Sequence, residues 1–462
     1  MDHKARDANK MSALLAATLA AFLVPFMGSS LNIALPTIGN EFAIDAVLLT
    51  WISASFLLAS AIFTLPFGRV ADIYGLKRIF TYGIITYVIF SFLSGIAPSA
   101  ILLIIFRAFQ GIGASMMFGT GVAILTSVFP LAERGKALGI NVAGVYVGLS
   151  IGPFLGGILT QYLGWRSIFF LNVLLGLVVI SFVLLRLKGE WAECRGEKFD
   201  VKSAVVYSIA LLFLMYGFSL IPETLGIILT VMGIIGVLAF IITDIKVKNP
   251  LLDMGLFLKN RIFAFSNLAA LINYSTTTGA VFLLSLYLQY ILGYTPQEAG
   301  LALLPLPLMM VIISPVAGEL SDKIDPRIIA SIGMALTAFG LSFFIFVGFF
   351  TGLPYIIAGQ LVLGSGFALF SSPNTNAIMG SVKKRNYGVA SATASTMRLT
   401  GQVLSFGIAI LIFSLLIGNV QITPDTYFNL LESVRVTFKI FAVICFVGIF
   451  ITIFGKISSL KT

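Results

Sequence analysis

Long unbroken apolar runs recur from one end of the chain to the other, separated by short polar breaks. The runs show neither the two-residue alternation of a half-buried strand nor a one-faced helical stripe. A run of about 20 apolar residues crosses a hydrocarbon core of roughly 30 Å as a helix. In lipid the backbone must satisfy its own hydrogen bonds, which leaves helices or closed barrels, and continuous runs select helices. The breaks predict fourteen spans, approximately 11–35, 50–69, 79–97, 100–126, 136–162, 166–187, 203–221, 224–245, 263–292, 297–318, 328–350, 354–378, 389–418 and 434–455. The first is too long for a signal-peptide core and lacks a clear cleavage site, so it reads as a helix. The prediction is an all-α polytopic membrane protein.

Composition agrees: 58% of the 462 residues are hydrophobic and only 10% charged, against roughly 25% charged in soluble domains. The net charge of +10 raises the question of a nucleic-acid partner, and the placement of the bases answers it. Most Lys and Arg fall in the termini and in alternate loops, as with Lys77 and Arg78, Lys198 and Lys202, and Lys383 to Arg385; Arg166, Arg435 and Lys439 are the exceptions. Such asymmetry predicts a cell-membrane protein with both termini cytoplasmic and no nucleic-acid role. Cys194 and Cys445 have no way to pair, and the only histidine, His3, lies in the N-terminal tail, so neither a disulfide nor a metal site nor another cofactor is expected. No G-x-x-x-x-G-K-[ST] run is present, which excludes ATP-driven transport within this chain; nothing suggests an enzyme.

A self-repeat is visible at an offset of about 250 residues. Gly68-Arg-Val-Ala-Asp72 is echoed by Gly318-Glu-Leu-Ser-Asp322, and Lys77 by Arg327. Arg107, Gln110, Gly111 and Gly113 are echoed more weakly by Gln360, Gly364 and Gly366, and Glu133-Arg134 by Lys384-Arg385. Six spans with short loops need only about 200 residues, so spans seven and eight fill the surplus. The expected plan is an N-terminal six-helix bundle (1–187), a linker with two extra spans (188–262) and a C-terminal six-helix bundle (263–462), the extra pair standing to one side of any path. Duplicated bundles are how many transporters rock about a midplane site.

The loop Gly68-Arg-Val-Ala-Asp72-Ile-Tyr-Gly75-Leu-Lys77-Arg78 carries an acid, three bases and two glycines between two spans. Its pattern, G-x-x-x-D-x-x-G-x-[RK]-[RK], resembles the signature loop of the major facilitator superfamily, which implies a cytoplasmic gate whose aspartate latches two bundles. Arg107 with Gln110, Gly111 and Gly113 resembles the R-x-x-Q-G-x-G motif, where the arginine is tied to proton coupling; the residue alone also reads as an arginine snorkelling to the interface. The fifth span carries Gly144, Tyr146, Gly148, Gly152, Pro153, Gly156 and Gly157, a stripe suited to close helix contact. Ending in G-P-x-x-G-G, it resembles the antiporter signature of drug exporters. Gly164-Trp165-Arg166, Phe169 and Asn172, the stretch Asn32 to Pro36, and Arg398-Leu-Thr-Gly401-Gln402 resemble the fourteen-span drug:proton antiporter-2 branch.

That branch commonly has an aspartate in the first span, where Met27 stands here. No carboxylate falls near the middle of any span. Proton exchange usually uses an intramembrane acid, and an acid-free cavity discriminates against dications. Polar groups left as cavity candidates, each also readable as a structural hydrogen bond, are Asn32, Gln110, Asn141, Tyr146, Asn273, Tyr274, Gln289, Gln360, Asn374 and Gln402, with Arg107 and Arg398 as the charged ones. The resemblance implies a secondary transporter, expected to act as a monomer, that exports small lipophilic compounds by alternating access, with proton influx as a candidate driving flow. An importer or lipid flippase on the same scaffold, and a transport-dead sensor, remain the alternatives.

Overall fold

In the computed structural model the described residues are 3–192, 199–246, 254–382 and 387–457. Cys194, Lys198 and the Lys383-Lys384-Arg385 cluster lie outside them, as do the side chains of Arg134 and Asp322. The helices are α1 (His3–Phe42), α2 (Ala46–Tyr74), α3 (Leu76–Gly95), α4 (Ala100–Val128), α5 (Leu131–Leu163), α6 (Arg166–Leu185), α7 (Val201–Leu220), α8 (Thr224–Lys246), the short α9 (Met254–Lys259), α10 (Arg261–Leu286), α11 (Pro296–Ala302), α12 (Pro305–Lys323), α13 (Pro326–Phe343), α14 (Leu353–Gly380), α15 (Tyr387–Leu416) and α16 (Tyr427–Ile457). Among the described residues fourteen stretches are long and apolar enough to cross a membrane. α10 continues through a π-helical turn, Tyr287–Ile291. α11 and α12 form one stretch, Pro296–Ser321, interrupted where Pro305 brings no N–H to continue the ladder.

The first six helices pack chiefly on one another, with α5 on α1, α4 on α2 and α3, and α6 on α1 and α3. Helices α10 to α16 do the same. The repeat seen in the sequence recurs contact by contact. Arg107 Nε donates to the Ile52 carbonyl of α2 at 3.3 Å, and Gln360 Nε2 donates to the Ala302 carbonyl of α11 at 2.7 Å. Gly111 lies against the Phe56 carbonyl as Gly364 lies against that of Leu306, and Gly113 against the Tyr87 amide as Gly366 against that of Thr337.

The inserted pair α7–α8 sits on the seam between the two groups. α7 packs along α15 and also touches α2. The buried Tyr207 of α7 donates to the Ala61 carbonyl of α2 at 3.2 Å, with Thr400 of α15 in reach of the same hydroxyl. Its ring rests on Phe240 of α8, 5.1 Å between centroids.

Candidate functional site

The two groups of helices are tied together on the side opposite the gate loop, here the far side. α1 keeps its helix through Pro36 and runs to Phe42, beyond the expected end near residue 35. Pro36 has no N–H, so the Asn32 carbonyl loses its intrahelical donor. Ser285 Oγ of α10 supplies one at 2.7 Å. Gln289 Nε2 donates to the Ile33 carbonyl at 2.9 Å, and Tyr290 OH to that of Pro36 at 3.3 Å. Gln289 and Asn32 are therefore brought together through Ser285, whose hydroxyl accepts from Gln289 Nε2 at 3.1 Å and donates to the Asn32 carbonyl; the Asn32 side chain accepts from Ser53 at 3.4 Å. The Ala46 amide also donates to the Val420 carbonyl at 3.2 Å.

The glycine run of α5 serves two contacts. Gly144, Gly148, Gly152 and Gly156 press against Thr18, Phe22, Ser29 and Ser30 of α1. Ser30 Oγ donates to the Gly152 carbonyl at 2.9 Å. Gly157 and Pro153 face the other group: a Cβ on Gly157 would fall 2.6 Å from the Pro296 carbonyl, and Gly300 abuts the Pro153 carbonyl.

On the gate side the first loop turns at Gly75, whose φ of +120° suits only glycine. The start of α3 is then capped from a distance. Glu190 accepts from the Lys77 amide at 2.9 Å and the Arg78 amide at 3.4 Å, while Lys77 Nζ reaches the Leu187 carbonyl past the end of α6 at 2.6 Å. Asp72 is half-buried in the last turn of α2. A Cβ at Gly68 would meet no atom within 4 Å, and one at Gly318 only Ser372, at 3.4 Å. In the second loop Asp325 caps α13 itself, accepting from the Arg327 amide at 3.0 Å and pairing with the Arg327 guanidinium at 2.7 Å.

Arg107 does not snorkel. It is 1% exposed, bonded to Gln110 Oε1 at 2.5 Å and set 4.3 Å over the Phe56 ring. Beside it Tyr87 OH donates to Asn172 Oδ1 at 3.3 Å, and Asn172 Nδ2 points at Met27 Sδ, 3.2 Å away. Met27 is wholly buried, so a thioether occupies the place of the branch's usual acid. No carboxylate pairs with Arg107 among the described residues.

A different charge stands at the seam. Arg398 of α15 is half-buried and lies 5.9 Å from the Phe118 ring of α4, with Tyr274 of α10 in its neighbourhood and Tyr146 of α5 near Tyr274. Tyr274 OH bonds Ser371 at 3.3 Å. Both groups of helices thus contribute to one cationic, aromatic cluster. Gln402 follows one turn later on α15, half-buried. Asn273 and Gln360 are fully buried within the second group, Asn273 with Nδ2 3.6 Å from Met334 Sδ. Glu190, Phe118, Ser285 and Tyr290 belong to these sites without having stood out in the sequence. Pro36 is the one signal that pointed to a free carbonyl.

Two six-helix groups joined at one face, with matched contacts inside each, invite comparison with known proteins. The model of the Major Facilitator Superfamily matches residues 17–258 and 266–459. The chain belongs to that superfamily. Its relatives in the superfamily include the riboflavin transporter RibZ of Clostridioides difficile (strain 630), 29% identical over 96% of this chain and 97% of that protein. The multidrug resistance protein Stp of Mycobacterium tuberculosis (strain CDC 1551 / Oshkosh) is 30% identical over 86% of this chain and 74% of its own. The cephamycin export protein CmcT of Amycolatopsis lactamdurans is 30% identical over 87% and 84%. A crystal structure of a POT family transporter in complex with 5-aminolevulinic acid superposes with a TM-score of 0.72 at 15% identity, covering 95% of this chain and 94% of that one. That likeness shows the fold. The family match, the transporter relatives and the fourteen apolar helices together make the chain a fourteen-span major facilitator, a multi-pass membrane transporter and not an enzyme.

Proposed function

We propose that this transporter exports small, uncharged or anionic aromatic compounds by alternating access, with gate side and termini cytoplasmic and the two six-helix groups rocking as bundles. The observation that carries the reading is the seam cluster. Arg398, Tyr146, Tyr274 and Phe118 come from both groups, and no carboxylate partners Arg398 among the described residues. A fixed positive charge among aromatic rings attracts anions and planar rings and repels dications, whose desolvation nothing there offsets. Close packing on the far side and open space at Gly68 fit a conformation that admits cargo from the gate side. In this reading Gly68 and Asp72 close that side later in the cycle.

The multidrug resistance and cephamycin export relatives and the glycine run of α5 favour export; proton influx as the driving flow is the part of this reading that the vesicle assay has to supply. The riboflavin transporter relative, matched over nearly the whole length of both chains, favours neutral aromatic cargo of that kind, and uptake of such cargo is the second reading. Inverted vesicles with a pH-sensitive dye separate the two. Inward accumulation of cargo with proton counter-flow is expected, and Arg398→Ala and Asp72→Asn should each reduce it at least tenfold. Robust exchange of dications for protons, or variants that transport normally, would overturn the reading.

A further inference from the structure

On the far side, next to the bonds that join α1 to α10, lies a cavity of about 370 Å³, within the size range of small-molecule sites. The last turns of α1, the π-helical turn with the loop after it, and residues 421–427 form its wall. Three tyrosines line it, Tyr290, Tyr294 and Tyr427, the first and last with ring centroids 6.2 Å apart at 57°. Asn40 and Gln421 add amides, and no charged side chain lines the cavity. Aromatic faces give a flat ring a surface to stack on. Amides and hydroxyls orient its polar substituents, and the lack of any charge leaves an ion's desolvation uncompensated. The wall draws on both helix groups, and Tyr290 is itself one of the residues bonded across them.

We propose that this cavity binds uncharged planar aromatic compounds carrying several hydrogen-bonding groups, and that its occupancy holds the far side shut. A ligand whose site exists only while the groups are together stabilises that arrangement by mass action. It therefore acts as an inhibitor from the far side rather than as cargo in the seam. The inhibition rests on the rocking reading above; the binding does not.

The probe is 4-methylumbelliferyl β-D-glucoside, an uncharged coumarin glycoside, titrated by fluorescence into purified protein in nanodiscs. Saturable binding is expected, weakened about tenfold by Tyr427→Ala and by Asn40→Ala, the latter at an exposed position, in line with loss of a main contact. Arg398→Ala should leave binding unchanged while it stops transport. Absence of saturation, equal affinity in both cavity variants, or loss with Arg398→Ala would each refute the site. A cysteine pair at Ala46 and Val420, whose backbones touch at 3.2 Å, reads the linkage: the probe should speed its cross-linking, and no change or slowing would sink that part. Should the protein move no cargo at all, the functional reading fails and the titration still decides the site.

Discussion

The two halves of this transporter repeat one another down to single contacts, and they part at two places. Where α4 and its counterpart α14 donate to a neighbouring carbonyl, the first half uses Arg107 on Ile52 and the second uses Gln360 on Ala302. Where the gate loop meets the next helix, the first half turns at Gly75 and borrows the Glu190 carboxylate, and the second places Asp325 in the loop and caps itself. The shared contacts build the scaffold. The differences mark where one half carries something the scaffold does not need.

Arg107 is the costlier difference. A guanidinium inside the membrane costs a few kcal/mol or more, a hydrogen bond returns about 1 kcal/mol, and Gln360 shows that a neutral amide makes the same link. The scaffold therefore does not account for the charge, and a role in the transport cycle is what the next variant tests. Arg107→Gln converts the first half into the second at this position and gives the largest effect expected here. The protein should fold with unchanged or higher thermal stability, because removing an unpaired buried charge relieves its desolvation. Transport in vesicles should fall at least tenfold. Unimpaired transport would reduce Arg107 to a structural donor.

The gate loops give a smaller contrast. Glu190→Gln weakens a charged cap at the start of α3, worth about 0.5–2 kcal/mol, and loosens the tie between the gate loop and the segment leading to α7. Hydrogen exchange at residues 76–79 should rise about tenfold and transport fall a few-fold. Asp325→Asn keeps a good cap and forfeits only a half-exposed ion pair with Arg327, about 0.2–1 kcal/mol; exchange at the start of α13 should barely change. Equal effects in the two loops would erase the distinction.

Local signals carried most of the fold. Fourteen apolar runs, the turn at Gly75, the glycine stripe of α5 and the echo of Gly111 and Gly113 in Gly364 and Gly366 all report on neighbours within a helix pair, and each stands where the sequence placed it. What escaped depends on partners far along the chain. Glu190 sits at the start of the linker, more than a hundred residues from the gate loop, and only the packed molecule brings it to Lys77. Asn32 stood out for its amide, whereas its carbonyl, freed by Pro36, makes the bond to Ser285. The end of α1 moved for the same reason: Pro36 ordinarily ends a helix, and here donors from α10 replace what it removes. Arg107 and Arg398 look alike as lone charges in apolar spans, yet one is enclosed by α2, α3 and α4 and the other stands at the seam.

The inserted pair α7–α8 tests whether the comparison of halves is complete, since neither half contains it. Tyr207 is its polar contact with α2, made while α7 lies along α15. α2 and α15 belong to different groups, so the rocking proposed above would change one of these contacts. Tyr207→Phe keeps the ring on Phe240 and removes the hydroxyl, a loss of about 0.5–1.5 kcal/mol. The Ala61 carbonyl keeps its place in the α2 ladder, so the protein should remain folded. Where rocking parts α7 from α2, the far-side-closed arrangement is the one that loses the bond to Ala61, and its population should drop three- to tenfold, read as a longer distance between spin labels on the far ends of α2 and α15. Unchanged distances and rates would make the pair a passenger, and all of the asymmetry would then belong to Arg107 and Glu190.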